Sequence, residues 1–152
     1  MPPPSPRVGT RLGAEVVQMS TAGMPHQAAR MATAGRAARA VGEQGEQLAC
    51  EHLEARGWEV LDRNWRCPQG ELDIVARDGG WVVFCEVKTR RSQRFGSPAE
   101  AVTPVKAARL RRLAGVWLQA HDVPAGQIRI DVVGVLLRPA APPELVHLEG
   151  VA

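Results

Sequence analysis

Asp73, Glu86 and Lys88 are the residues whose types and spacing can do chemistry, and one turn fixes their relation. The segments 71–77 and 81–88 are rich in Val, Ile, Trp and Phe and read as strands, with the tight-turn sequence Asp78-Gly79-Gly80 between them. A two-residue Gly79-Gly80 loop sets Asp78 opposite Trp81. Counting back from there sets Asp73 opposite Glu86 and Glu71 opposite Lys88. Directly opposed Cβ atoms in an antiparallel pair lie about 4.5–5.5 Å apart, where like charges are destabilising. Two carboxylates so placed need a cation between them. A three-residue loop would instead set Leu72 across from Glu86.

Side-chain alternation agrees with this register. Val82, Phe84, Glu86 and Lys88 share one face of their strand, so Glu86 and Lys88 continue a core-facing row; Asp73 likewise continues the row of Val75. Burying unpaired carboxylates is costly, so a metal ion or a proton shift is expected, and oxygen-only ligands select Mg²⁺ or Mn²⁺ rather than Zn²⁺. Glu46 is a third acid. On a helical wheel it falls within roughly 20° of Leu53, at the border of the apolar stripe, from which it can look down onto the sheet. The plainer alternative is that these residues form an ion-pair network at strand ends.

The elements that position these residues follow from periodicity. Val41, Leu48, Ala49 and Leu53 recur at helical spacing from a start near Ala37 or Val41, and Gly57 is a stop signal. A strand at 58–64 comes next, then the turn Cys67-Pro68-Gln69-Gly70 and the hairpin. A polar loop, 89–96, leads to two stacked helix starts, Ser97-Pro98 and Thr103-Pro104, each a capping hydroxyl before a proline. The second opens a helix to about Ala120 with Leu110, Leu113, Ala114, Trp117 and Leu118 on its apolar face. A strongly apolar strand, 127–137, and a short edge strand, 144–149, complete the chain. The order α-β-β-β-α-β, with a last β, predicts an α/β fold: one mixed sheet flanked by helices, the second helix crossing between strands. No phosphate-cradling G-x-G-x-x-G or G-K-[ST] occurs, which counts against nucleotide-triphosphate chemistry.

Charge is distributed unevenly. The chain has 152 residues, 45% hydrophobic, with 19 Lys+Arg, 16 Asp+Glu and a net charge of +3. Residues 1–40 carry five arginines and Glu15, a net +4, with no aromatic residue, and at least 1–34 are expected to be disordered. That segment reads either as a basic arm for nucleic acid or as an over-extended reading frame whose start is Met31 or another internal Met. The body, 41–152, has a net −1, within which 43–78 carry a net −5, 88–112 a net +7 and the rest a net −3. No run reaches 18 apolar residues and no secretory signal is evident, so no membrane span is expected. The three cysteines, Cys50, Cys67 and Cys85, lack a C-x-x-C pair, and a reducing cytoplasm is expected. Cys50, Cys85, His52 and Trp117 read as structural, and Asp131, interrupting an apolar strand, as a salt bridge or a support to the site.

The stretch from "GEQGEQLACEHLEARGWEVLDRNWRCPQGELDIVARDGGWVVFCEVKTRRSQRFGSPAEAVTPVKAARLRRLAGVWL" on to "RIDVVGV" resembles the YraN-type uncharacterised bacterial family, whose fold is restriction-endonuclease-like. More distantly it is similar to archaeal Holliday junction resolvases. The resemblance implies a PD-(D/E)xK site: Asp73 and Glu86 as metal ligands, Lys88 as the motif lysine, Glu46 as the helix acid. The motif's proline is absent, Leu72 preceding Asp73.

The activity that this resemblance implies is phosphodiester hydrolysis in DNA, on branched, nicked or single-stranded forms, with Mg²⁺ or Mn²⁺. Arg90, Arg91 and Arg94, on a loop beside the active strand, and Lys106 and Arg109, on the second helix, are the expected phosphate contacts. The helical bases also read as a solvated face, and Phe95 as a packing anchor. Cutting paired strands would require a homodimer. Two other readings stand beside this one: a nucleic-acid-binding protein that keeps the fold but is inactive alone, and a structural ion-pair network.

Overall fold

The structure, a computed structural model, describes residues 25–92, 97, 100, 102–124 and 126–152. Seven elements succeed one another: α1 (Pro25–Ala55), β1 (Glu59–Cys67), β2 (Gly70–Asp78), β3 (Trp81–Arg90), α2 (Pro104–His121), β4 (Gln127–Leu136) and β5 (Glu144–Leu148). The strands form one sheet in the order β1-β2-β3-β4-β5. β3 and β4 are parallel and the other pairs antiparallel, giving the mixed sheet that the element order predicts. A parallel pair needs a crossover, and α2 supplies it.

The chain divides into two compact units, 1–39 and 40–152. α1 starts well before the expected Ala37 or Val41, so residues 25–34 are helical rather than unstructured. Helix propensity accounts for the difference. Ala28, Ala29, Ala32, Ala34, Ala37 and Ala38 are strong helix formers that need no buried face. Residues 28–40 are exposed, and burial begins at Val41, where the apolar stripe begins. The remainder of the expected disordered segment, 1–24, lies outside the described residues.

Both faces of the sheet are covered within the larger unit. On one face Ala49, Cys50 and Leu53 of α1 pack with Ile74, Ala76, Val83, Cys85 and Val133. On the other, Leu110, Leu113, Ala114 and Trp117 of α2 pack with Val75, Val82, Phe84 and Ile130. This is why 82–86 and 130–135 are buried without interruption, as strands covered on both sides must be. Gly45 marks where α1 meets the sheet: a Cβ there would stand 1.8 Å from Thr89 Oγ1.

The predicted hairpin register is present. Asp78 pairs with Trp81, and the ladder runs through Val75–Phe84 to Ile74–Cys85. β1 is longer than expected, reaching Cys67, and its register shifts between Val60 and Asp62. β3 also extends further, through Thr89 and Arg90, because β4 supplies partners as far as Arg90–Leu136. Thr103 caps α2 as its sequence predicts, accepting a hydrogen bond from Lys106 N at 3.2 Å. Among the described residues no helix is long and apolar enough to cross a membrane.

Candidate functional site

The site opens where β2 and β3 part. Their ladder stops at Ile74–Cys85, although β3 stays paired with β4 to its end. The next inter-strand bond is made by a side chain: Asp73 Oδ2 accepts from the Val87 amide at 2.8 Å. A carboxylate thus stands in for a backbone carbonyl, and beyond it lies a cleft of about 570 Å³ lined by Arg66, Cys67, Gly70, Glu71, Asp73, Glu86 and Arg109. Asp73 and Glu86 face this one space from neighbouring strands.

Their electrostatics are those of crowded acids. Burial, followed by the charge of Glu86, raises the Asp73 carboxyl from its usual 3.8 to about 7, against the opposing effect of the Val87 amide. Glu86 is buried at 9% exposure and is held by two lysines on one oxygen. Lys106 Nζ lies 2.7 Å and Lys88 Nζ 3.5 Å from Glu86 Oε1. Hydrogen bonding with Lys106 and burial lower the Lys88 pKa, although Glu86 acts the other way. Lys106 is raised: burial works against its charge, but its hydrogen bonds with Glu86 and Lys88 outweigh that.

Glu46 reaches this end of the sheet from α1, half-buried. Burial, together with the charge of Glu71, raises its pKa against the Asn64 hydrogen bond, and its own charge adds to the rise at Asp73. The carboxylates of Glu46, Asp73 and Glu86 do not bring three oxygens within 4.8 Å of one another. Glu71, expected opposite Lys88, is instead paired with Arg66 across the Pro68-Gln69 turn, with Arg66 Nε 3.6 Å from its carboxylate. The ladder ends before Glu71 can meet β3.

The expected phosphate contacts are placed unequally. Arg109 lines the cleft, whereas Lys106, one turn earlier on α2, points at Glu86. Arg90 is the last residue of β3 rather than a loop residue, half-buried, with its carbonyl accepting from Leu137 N at 2.8 Å. Arg91 comes next, exposed. Arg94 and Phe95 lie outside the described residues. Arg66 also lines the cleft, although its place in the sequence does not single it out as a contact. Counting back across the Pro68-Gln69 turn, which sets Arg66 opposite Glu71, is the signal that would have found it.

Asp131 belongs to a separate network, on the α1 face, as its pairing with Cys85 requires. Fully buried, it accepts Arg129 Nε at 2.8 Å and Nη2 at 3.0 Å, Gly150 N at 3.0 Å and a bond from His147 Nε2 at 2.8 Å. Burial pushes its pKa up, but the bonds from His147 and Arg129 outweigh it and hold the carboxyl below its usual range. His147 Nδ1 in turn meets His52 Nε2 at 3.1 Å and Arg56 Nη1 at 2.8 Å. Asp131, His147 and Glu149 have metal-ligand spacing. Guanidinium groups already neutralise them, since Arg129 grips Asp131 and Arg56 lies 2.7 Å from Glu149. Of the two roles the sequence left open for Asp131, the structure shows the salt bridge.

Fold and site together define an α/β protein with two crowded acids on a splayed hairpin, facing a cleft that arginines help to line. The chain belongs to the uncharacterised protein family UPF0102, whose profile matches residues 45–135 and so includes Glu46, Asp73, Glu86, Lys88, Lys106 and Arg109. It is 59% identical over 116 residues to a UPF0102 protein of Beutenbergia cavernae, covering 76% of this chain and 98% of the relative. A UPF0102 protein of Frankia alni is 55% identical over 115 residues, 76% of this chain and 96% of its own length. One from Mycobacterium sp. strain KMS is 55% identical over 115 residues, 74% of this chain and 85% of its own.

Proposed function

We propose that this protein is a metal-dependent endonuclease of the restriction-endonuclease-like PD-(D/E)xK type, hydrolysing phosphodiester bonds in DNA with Mg²⁺ or Mn²⁺. The observation that carries this reading is the placing of Asp73 and Glu86 in one cleft, with Asp73 raised to about 7. Asp73 in that state has no cation of its own, whereas Glu86 leans on two lysines, and the oxygen-only donors of the pair suit a hard cation. A cation held by Asp73 and Glu86, with Glu46 assisting, would polarise the phosphoryl oxygen and acidify a water molecule.

The chain's own residues account for the rest. Lys88, beside Glu86, stabilises charge building on the phosphorus or orients the attacking water. Arg66 and Arg109 on the cleft walls, and Arg90 and Arg91 at the end of β3, meet backbone phosphates and set the strand against the acids. The protein acts in the cytoplasm, and cutting paired strands calls for two copies.

One observation favours a second reading. Three acids that do not converge suit a nucleic-acid-binding protein that is inactive alone and completes its site with a partner. Fork, flap and four-way DNA incubated with purified protein in Mn²⁺ separates the two. The endonuclease reading expects cleavage that Asp73→Ala and Lys88→Ala abolish. Binding without cleavage by the native protein supports the second reading instead.

A further inference from the structure

We propose that Lys106 is a displaceable counter-ion, occupying on Glu86 the position that a divalent cation must take. The inference rests on the metal-dependent reading and adds to it a residue that controls loading of the site. Lys106 approaches Glu86 Oε1 to 2.7 Å, closer than the 3.5 Å of Lys88, so the helix lysine makes the tighter contact. Its side chain is only 20% exposed and that of Glu86 only 11%.

Local helix energetics do not explain a lysine at this position. The N-terminal turn of a helix carries partial positive charge and favours acids, yet the first turn of α2 has none and Lys106 sits in it. The turn is fixed in place regardless, because Thr103 accepts from the Lys106 amide. The cap therefore aims the ammonium at the sheet, and Glu86 is what holds it there.

The same contact accounts for acids that fail to converge. With Oε1 turned to two ammonium groups, Glu86 keeps only Oε2 to offer a three-oxygen cage with Asp73 and Glu46, and the three do not close one. A cation binding there must draw Glu86 away from Lys106. The released lysine then lies one turn from Arg109, which lines the cleft. Lys106 is thus a positioning residue that acts through Glu86.

Isothermal titration of the full chain with MnCl₂ tests this directly, comparing the native protein with Lys106→Met, Lys106→Gln and Lys106→Arg. Without the competing charge, the Met and Gln variants bind Mn²⁺ about tenfold more tightly than native, equivalent to about 1.4 kcal/mol. The Arg variant, which keeps the charge, stays close to native. Thermal unfolding gives a second readout: Mn²⁺ raises the melting temperature more in Lys106→Gln than in the native protein, whereas a purely structural lysine leaves the two increments equal. Unchanged or weaker Mn²⁺ affinity in both neutral variants, with native binding intact, overturns the counter-ion role alone. Absence of Mn²⁺ binding in every form overturns the metal-dependent reading, and this inference with it.

Discussion

Replacing Asp73 with Asn removes a group that ionises in the folded protein only near pH 7. An acid whose folded pKa is raised leaves the fold most stable below the ordinary value of 3.8, and stability is lost as pH rises towards about 7. Each unit within that window costs about 1.4 kcal/mol. Between about pH 5 and pH 8 the native protein therefore loses roughly 3 kcal/mol that the Asn variant keeps, since only the two units below the folded pKa count. Asn can still accept from the Val87 amide, so the hydrogen bond is not the variable. Urea unfolding in EDTA at the two pH values measures the difference. The expected result is a variant that gains on the native protein as pH rises, with the gain shrinking when Mn²⁺ replaces EDTA. An advantage of the variant equal at both pH values would refute the crowded-acid account of Asp73.

Other perturbations test the surrounding structure. Asp131→Asn leaves Arg129 and His147 around a group that no longer balances them, and unfolding free energy falls by about 3–5 kcal/mol in urea titration. Because the Asp131 carboxyl is held below its usual range, the native protein loses that stabilisation as pH falls through the folded pKa, a slope the Asn variant lacks. Gly45→Ala sets a methyl 1.8 Å from Thr89 Oγ1 and destabilises by about 1–3 kcal/mol. Adding Thr89→Gly restores much of that loss in thermal unfolding, whereas Thr89→Ala restores less because the Thr89 Cβ would remain 2.8 Å away. Replacing Arg91 with Ala weakens DNA binding and lowers the salt dependence of the binding constant by about one counter-ion, read by fluorescence anisotropy.

Much of the site is legible in the sequence because it depends on local rules. A two-residue Gly79-Gly80 turn fixes the hairpin register as far as Ile74–Cys85, and one step beyond the end of that ladder Asp73 and Glu86 face one cleft instead of pairing directly. Lys106 can be placed on a helix and given a cap, but its contact with Glu86 depends on how α2 packs across the sheet, which no local pattern encodes. The polar network of Asp131, His147, His52 and Arg56 is likewise assembled across long stretches of chain. Part of it is local: Arg129 stands two residues before Asp131, on the same face of one strand. An apolar stripe is a poor guide to where α1 starts. The helix needs a buried face only from Val41, and its alanines sustain the earlier turns.

The most direct test of the central claim is anomalous scattering from crystals of the native protein soaked in Mn²⁺. A peak between the Asp73 and Glu86 carboxylates, with Glu86 turned away from Lys106, is the predicted result. A peak at Asp131, His147 and Glu149, or density showing Lys106 still on Glu86 at saturating Mn²⁺, would contradict it.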